Sequence, residues 1–330
     1  MCNVVKEKRI QQVVEQISSF FLCPASPLPL GFFRIAIGLI ALFLLVQLWP
    51  YLLPLYGNYG FIQWAILETG TNTWFPSIGK LYLLLEPLGF SPENCVFLIF
   101  SVYGVSLLGF ILGIKTRVCA ILVWFCHLST VNSGFTSIYG LDTMLQICFF
   151  YAMWMPLGKS LTVFHFLGKR STEPSAMANL SLRVLQLHLC LIYLNTAVAK
   201  MQGLQWWNGE AIWRALMQPQ FSTFTYDWLA SWPLITKGMG WSVLLIEFGY
   251  PFLIWPLKTR RIWLPAIIAL HGGIALFMGL PLFSMTMIAM NISAFGWLRN
   301  SGFLGRYLPL HYFPRSLIFS NFSRRSNASS

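Results

Sequence analysis

Apolar runs long enough to cross a bilayer recur along this chain, and they exclude most soluble architectures. The most informative runs from Leu180 through Leu182, Leu185, Leu189, Ile192 and Leu194 to Lys200. About twenty mostly apolar residues cross a hydrocarbon core as a helix. The chain holds eight such stretches: residues 31–53, 94–113, 117–133, 139–157, 180–200, 239–257, 262–279 and 282–298. Of its 330 residues, 56% are hydrophobic and 10% charged, against about 25% charged in a soluble domain. The expected fold is all-α: a polytopic transmembrane helix bundle of about eight spans. Its solvent is the lipid bilayer, and it belongs to the multi-pass integral proteins of a plasma or inner membrane.

Charge placement orients the spans. Lys and Arg number 22, Asp and Glu 10, and the net charge is +12. In a soluble chain such an excess would point to nucleic acid. Here the basic residues sit mainly in short segments between apolar runs, so no nucleic-acid partner is expected. With the N-terminus inside, eighteen of the 22 fall on the inner side, Arg34 among them, and four (Lys80, Lys200, Arg214, Lys237) on the outer. That is the bias of cytoplasmic loops, and adding or removing one span would scramble it. Both termini are therefore expected in the cytosol.

Three regions follow. Residues 1–29 are an amphipathic surface helix and a Pro-rich linker. In them Val13, Val14, Ile17, Phe20 and Phe21 recur at helical spacing among Lys, Glu and Gln, the pattern of a helix lying on a membrane face. Lys6, Glu7, Lys8 and Arg9 deny this segment the continuous apolar core of a cleavable signal peptide. Residues 30–298 are the transmembrane domain, and residues 299–330 a basic cytosolic tail. The outer loops, 54–93 and 201–238, carry Trp64, Trp74, Trp206, Trp207, Trp213, Trp228 and Trp232. Tryptophan is the usual interfacial anchor, so these loops are expected to lie down on the bundle as a cap.

Ionisable groups within spans are costly and are functional candidates for that reason. They are His127, Asp142, His188, Lys200, Glu247 and His271. Each also has a plain role. His127 and His188 can be packed hydrogen bonders, Asp142 can cap a helix start, and Lys200 can snorkel to the surface. Glu247 lies deep in its span and is expected to meet a histidine, His188 or His271, from a neighbouring helix. A lysine in a dry pocket can serve as a base, whereas a carboxylate beside it makes a salt bridge. The separation of Glu247 and Lys200 decides between the two. Seven cysteines show no CxxC and no zinc-type spacing, so no metal site is expected. The motifs GxxxxGK[ST], HExxH and GxSxG are missing from the sequence.

The run from Tyr193 to Met201 (Tyr-Leu-Asn-Thr-Ala-Val-Ala-Lys-Met), followed by Trp206-Trp207-Asn208-Gly209, resembles the HTTM domain. That multispanning domain is shared with vitamin K-dependent gamma-glutamyl carboxylase. Other pieces are similar in order: Arg34 to Gly38, Asn132 with Tyr139 to Asp142, Met155 to Gly158, Glu247 before Arg260, and His271 with Met278-Gly279 and Phe283-Ser284. In the carboxylase, a lysine at the position resembling Lys200 deprotonates vitamin K hydroquinone. The resemblance therefore implies the base role for Lys200, and His188, Glu247 and His271, singled out by their cost within spans, complete the catalytic candidates. It implies Asp142, Trp206 and Trp207 as cofactor-binding candidates, and a quinone or other lipid-soluble cofactor. Two positions depart from the pattern: a single lysine after Ala199 where the carboxylase has two, and Phe135 where it has a histidine. The carboxylase also carries a large lumenal C-terminal region, against residues 299–330 here. Glutamate carboxylation itself is not the expected reaction.

One bacterial branch of the family takes part in maturing a secreted peptide toxin. The leading expectation is therefore chemistry on a secreted peptide, or quinone- or lipid-linked chemistry, at the outer membrane face. The alternatives are a non-catalytic membrane partner in peptide export or maturation, and a small-molecule transporter. A thiol placed at position 222 of a cysteine-free variant should label with an impermeant maleimide from outside, and one at position 172 should not. The reverse pattern overturns the orientation.

Overall fold

Helix is the only regular structure among the described residues, apart from one isolated two-residue bridge between Ala25 and Ser175. The computed structural model describes residues 2–61, 63–70, 74–134, 138–168, 172–218 and 224–297, with the backbone course alone for residues 2–10, 68 and 70. Position 222, Phe135 and the tail from residue 298 lie outside the described residues.

In chain order the helices are α1 (Cys2–Leu22), α2 (Leu28–Leu48), α3 (Leu52–Tyr56), α4 (Trp64–Gly70), α5 (Ile78–Leu85), α6 (Pro92–Leu112), α7 (Thr116–Ser133) and α8 (Gly140–Trp154). They continue as α9 (Val163–Phe166), α10 (Ala176–Met201), α11 (Leu204–Asn208), α12 (Glu210–Leu216), α13 (Pro233–Leu253), α14 (Leu257–Phe277) and α15 (Pro281–Phe295). The eight expected apolar stretches fall on α2–α3, α6, α7, α8, α10, α13, α14 and α15, as far as the described residues reach. Length and hydropathy qualify four of these to cross a membrane: Leu28–Tyr56, α6, α10 and α14. A fifth qualifies if α8 and residues Leu157–Phe166, bent by 68°, count as one. The others fall short for visible reasons. The apolar helix α15 has only 15 residues. The last two turns of α7 carry His127, Ser129, Thr130, Asn132 and Ser133, and α13 carries Lys237 and Glu247.

The exteriors of these helices are apolar. Phe43, Val46, Val105, Leu191, Leu245, Ile262 and Leu276 are all more than half exposed. A helix apolar all round is either buried in a large core or set in lipid. Helix α1 differs in mixing exposed Val13, Val14 and Ile17 with exposed Gln11, Gln12, Glu15 and Gln16. Its C-terminal turn is fastened to α10, where Asn179 donates to the Phe20 carbonyl oxygen at 2.9 Å and the Arg183 guanidinium stacks 4.1 Å over the Phe20 ring.

The sequential hairpins α6–α7, α7–α8 and α14–α15 pack closely, and α10 packs on α13. Two helices join these groups. Helix α2 packs on both α6 and α15, and α15 also meets α8, α10 and α14. Nine of the fifteen residues of α15 are buried, including Ser284, Thr286, Ala289, Asn291, Ser293 and Ala294. Small side chains let helix backbones approach closely where packing rather than water drives association.

Arg34 sits within α2 and is fully buried. It lies inside the expected first span, with its side chain turned into the bundle. Its fork spends donors on three carbonyls of the bend after α8: Leu157 at 2.6 Å, Ser160 at 3.2 Å and Leu161 at 2.6 Å. Pro156 stops α8, and the carbonyls beyond it need donors. Next to the fork, Gly113 ends α6 at φ +78°, where a Cβ would strike the Thr162 side chain and lie 3.0 Å from Arg34 Nη1. Only glycine fits there.

Lysine at position 34 keeps the charge but reaches one carbonyl, leaving the others without their donor. Hydrogen bonds to charged groups contribute about 1.5–3 kcal/mol each. Arg34→Lys is expected to destabilise the bundle by about 2 kcal/mol or more, measured by denaturant titration of the purified chain in detergent. An unchanged midpoint would contradict the role given to Arg34.

Candidate functional site

Helices α10 and α13 bring two of the costly groups into contact. Lys200 Nζ and Glu247 Oε1 form an ion pair. The Glu247 side chain is 7% exposed and that of Lys200 24%. The expected histidine partner is thus corrected: Glu247 meets Lys200. The reason lies in helix geometry. Lys200 is at the end of α10, and α13 runs antiparallel beside it, so a long lysine side chain reaches a carboxylate that no imidazole on α10 is placed to meet. The separation therefore gives a salt bridge at this position.

Below the pair lies a chain of hydrogen bonds made from buried side chains. Asn291 Nδ2 donates to the Met287 carbonyl oxygen at 2.9 Å, which fixes the orientation of the amide. The same nitrogen donates to the Tyr193 hydroxyl oxygen at 2.8 Å, and Tyr250 donates to Asn291 Oδ1 at 2.6 Å. The Tyr193 hydroxyl hydrogen then points to His271 Nε2, 2.9 Å away. It follows that the proton of neutral His271 resides on Nδ1. That nitrogen and Glu247 Oε2 are both buried without a hydrogen-bond partner. One donor and one acceptor thus remain available in this polar cluster.

Local sequence explains the convergence. Tyr193 precedes Lys200 by seven residues, two helical turns, so both lie on one face of α10. Tyr250 follows Glu247 by three, which places it on the same face of α13. The rings of Tyr193 and Tyr250 are 4.3 Å apart. The pair is roofed by the segment after α10: Lys200 Nζ is 4.9 Å from the centroid of the Trp206 ring. Gly209, at φ +89°, turns the chain from α11 into α12. A Cβ there would lie 2.5 Å from the Lys237 nitrogen, so the turn can seat against α13 only with glycine. Farther along α12, hydrogen bonds from Arg214, together with its charge, hold the Glu210 carboxyl below its ordinary range.

The other expected residues lie apart from this cluster. His188 is twelve residues before Lys200 on the same helix, roughly 18 Å at 1.5 Å per residue. It hydrogen-bonds the Tyr151 hydroxyl of α8 through Nδ1. Asp142 occupies the start of α8, where Oδ2 accepts from the Tyr139 N–H at 3.1 Å. Trp207 is 44% exposed, and its indole N–H donates to the Met201 carbonyl oxygen at 2.8 Å. Of the seven expected site residues, Lys200, Glu247, His271 and Trp206 are brought together, while His188, Asp142 and Trp207 are not. Tyr193, Tyr250 and Asn291 belong to the cluster and were not foreseen. Their signals were present: tyrosines in register with Lys200 and Glu247, and an amide inside the apolar run of α15.

Comparison of the chain with family models, with curated proteins and with solved structures returned no match.

Proposed function

We propose that this chain is an eight-span membrane protein with both termini in the cytosol, of the carboxylase-like HTTM type. Its Lys200–Glu247 pair is the working centre of chemistry at the outer face. The substrate class is a lipid-soluble quinone or a secreted peptide. One observation carries the reading: the Lys200–Glu247 ion pair shares helices α10 and α13 with a buried tyrosine–asparagine–histidine cluster, and Glu247 Oε2 and His271 Nδ1 are both buried without a partner.

Such a pair can move a proton. The resting pair is the salt bridge, and Glu247 Oε1 already contacts the Lys200 ammonium, so a proton can pass between the two without either group moving. Transfer of one proton from Lys200 to Glu247 would leave an amine able to take a proton from an acidic O–H or C–H of a bound substrate. The Trp206 ring covers the lysine and limits its hydration. Tyr193, His271 and Asn291 orient the lower boundary of the site. The short helices after Lys200 fit the role of a cap, and Asn208-Gly209 supplies the turn that seats it.

The test is Lys200→Arg. Arginine keeps the charge and can pair with Glu247, yet it does not release its proton at accessible pH. Removing one positioned base costs about 100- to 10,000-fold in rate. Cells expressing the wild type should accumulate a lipid or secreted-peptide species, seen by mass spectrometry, that falls at least about 100-fold with Lys200→Arg at equal membrane abundance. Full retention of that species with Lys200→Arg, alongside lost stability in Lys200→Ala, would make Lys200 a structural anchor and overturn the reading.

A further inference from the structure

A separate cavity of about 360 Å³ opens between α2, α6, α7 and the start of α8. Its volume falls in the range of small-ligand sites, about 300–1,000 Å³. Leu44, Leu45 and Leu48 make one wall, and Tyr56, Phe100, Tyr103 and Tyr139 place aromatic rings along it. The Tyr56 and Phe100 rings are 5.0 Å apart. His127, Thr130, Ser133 and Asp142 form the polar end. Lys200 and Glu247 do not line it.

A count of hydrogens shows what this end can recognise. His127 Nε2 lies 3.1 Å from the Asp142 carbonyl oxygen, which can only accept, so Nε2 carries the imidazole hydrogen. Nδ1 is then an acceptor, and Tyr103 donates its hydroxyl hydrogen to it at 3.0 Å. Thr130 spends its hydrogen on the His127 carbonyl oxygen at 2.8 Å, and Ser133 spends its own on the Ser129 carbonyl oxygen at 2.8 Å. Each of these four side chains has used its donor within the protein. Lone pairs remain, together with the Asp142 carboxylate, which accepts one hydrogen bond, from Tyr139 N–H. No Lys or Arg among the described residues pairs with Asp142.

We propose that this cavity binds an organic ammonium group carried on an apolar chain. The carboxylate supplies the counter-charge, the tyrosine and phenylalanine rings supply cation–π contacts, and the leucine wall takes the chain. An anionic ligand, such as a carboxylate or a phosphate, would face the Asp142 carboxylate there, with the Tyr56 and Tyr139 hydroxyls as the side-chain donors left on the described lining. Asp142 thus serves two purposes: one oxygen caps α8, and the carboxylate as a whole sets the sign of the cavity.

The experiment uses the full chain in uncharged dodecyl maltoside micelles and radiolabelled hexyltrimethylammonium as the probe. Binding should saturate at one equivalent. Asp142→Asn, which retains an oxygen for the Tyr139 N–H, should weaken it about tenfold or more. Tyr56→Phe should bind like wild type and Tyr56→Leu severalfold more weakly, because the ring and not the hydroxyl is used. The neutral 1-nonanol, of similar size, should fail to displace the probe. Displacement by phosphatidylethanolamine would identify a lipid headgroup as the source of the ammonium. Displacement only by water-soluble alkylamines would identify a free amine. Non-saturable uptake, equal competition by nonanol, or wild-type affinity in Asp142→Asn overturns the proposal. If Asp142→Asn melts early, the Tyr56 variants and the nonanol competition decide alone.

Discussion

The ion pair between Lys200 and Glu247 is the constraint around which one half of the bundle is arranged. A carboxylate with a 7% exposed side chain cannot be left without a counter-charge in a low-dielectric interior. Pairing it with a lysine from the end of α10 fixes how α10 and α13 lie against each other. Once they are so placed, Tyr193 and Tyr250 must meet, and their hydroxyls need partners. Asn291 and His271 provide them from α15 and α14. Polar contacts thus link four helices, α10, α13, α14 and α15. A buried pair of this kind adds less to stability than its attraction suggests. What it fixes is how α10 and α13 pack.

The second half of the bundle rests on Arg34 in a similar way. The bend between α8 and α9 leaves carbonyls that the helix cannot satisfy, and a guanidinium from α2 reaches three of them. The two arrangements differ in kind. The Arg34 fork completes backbone carbonyls, and its Nε is buried without a partner. The Lys200 cluster leaves a carboxylate oxygen and an imidazole nitrogen without partners. A guanidinium does not give up its proton, so the first is a brace and the second a candidate for chemistry.

Helix was readable throughout the sequence because apolar runs of the right length carry their own signal. Span number is harder to read. Stretches such as α7 and α13 dilute their hydropathy with the polar residues that later pair across the bundle, so the groups that build the interior also weaken the pattern. Lys200 and Glu247 stood out by their cost in an apolar setting. Their contact did not, because it joins two residues 47 apart in sequence on different helices. His188 stood out equally and meets only Tyr151, since periodicity locates a residue on a face without naming the neighbour. Asn291 and Tyr193 were overlooked because neutral polar residues are individually inexpensive. Arg34 was placed in the first span, but a count of basic residues on the inner side does not show that its side chain turns inward to backbone carbonyls.

The most direct measurement is a double-mutant cycle on the ion pair, read as unfolding free energy of the full chain in detergent. Lys200→Met alone strands a buried carboxylate and should cost about 3 kcal/mol or more. Adding Glu247→Leu should recover most of that loss, giving a coupling of at least about 2 kcal/mol. Additive effects of the two substitutions would show that Lys200 and Glu247 do not interact, and would remove the centre on which the account rests.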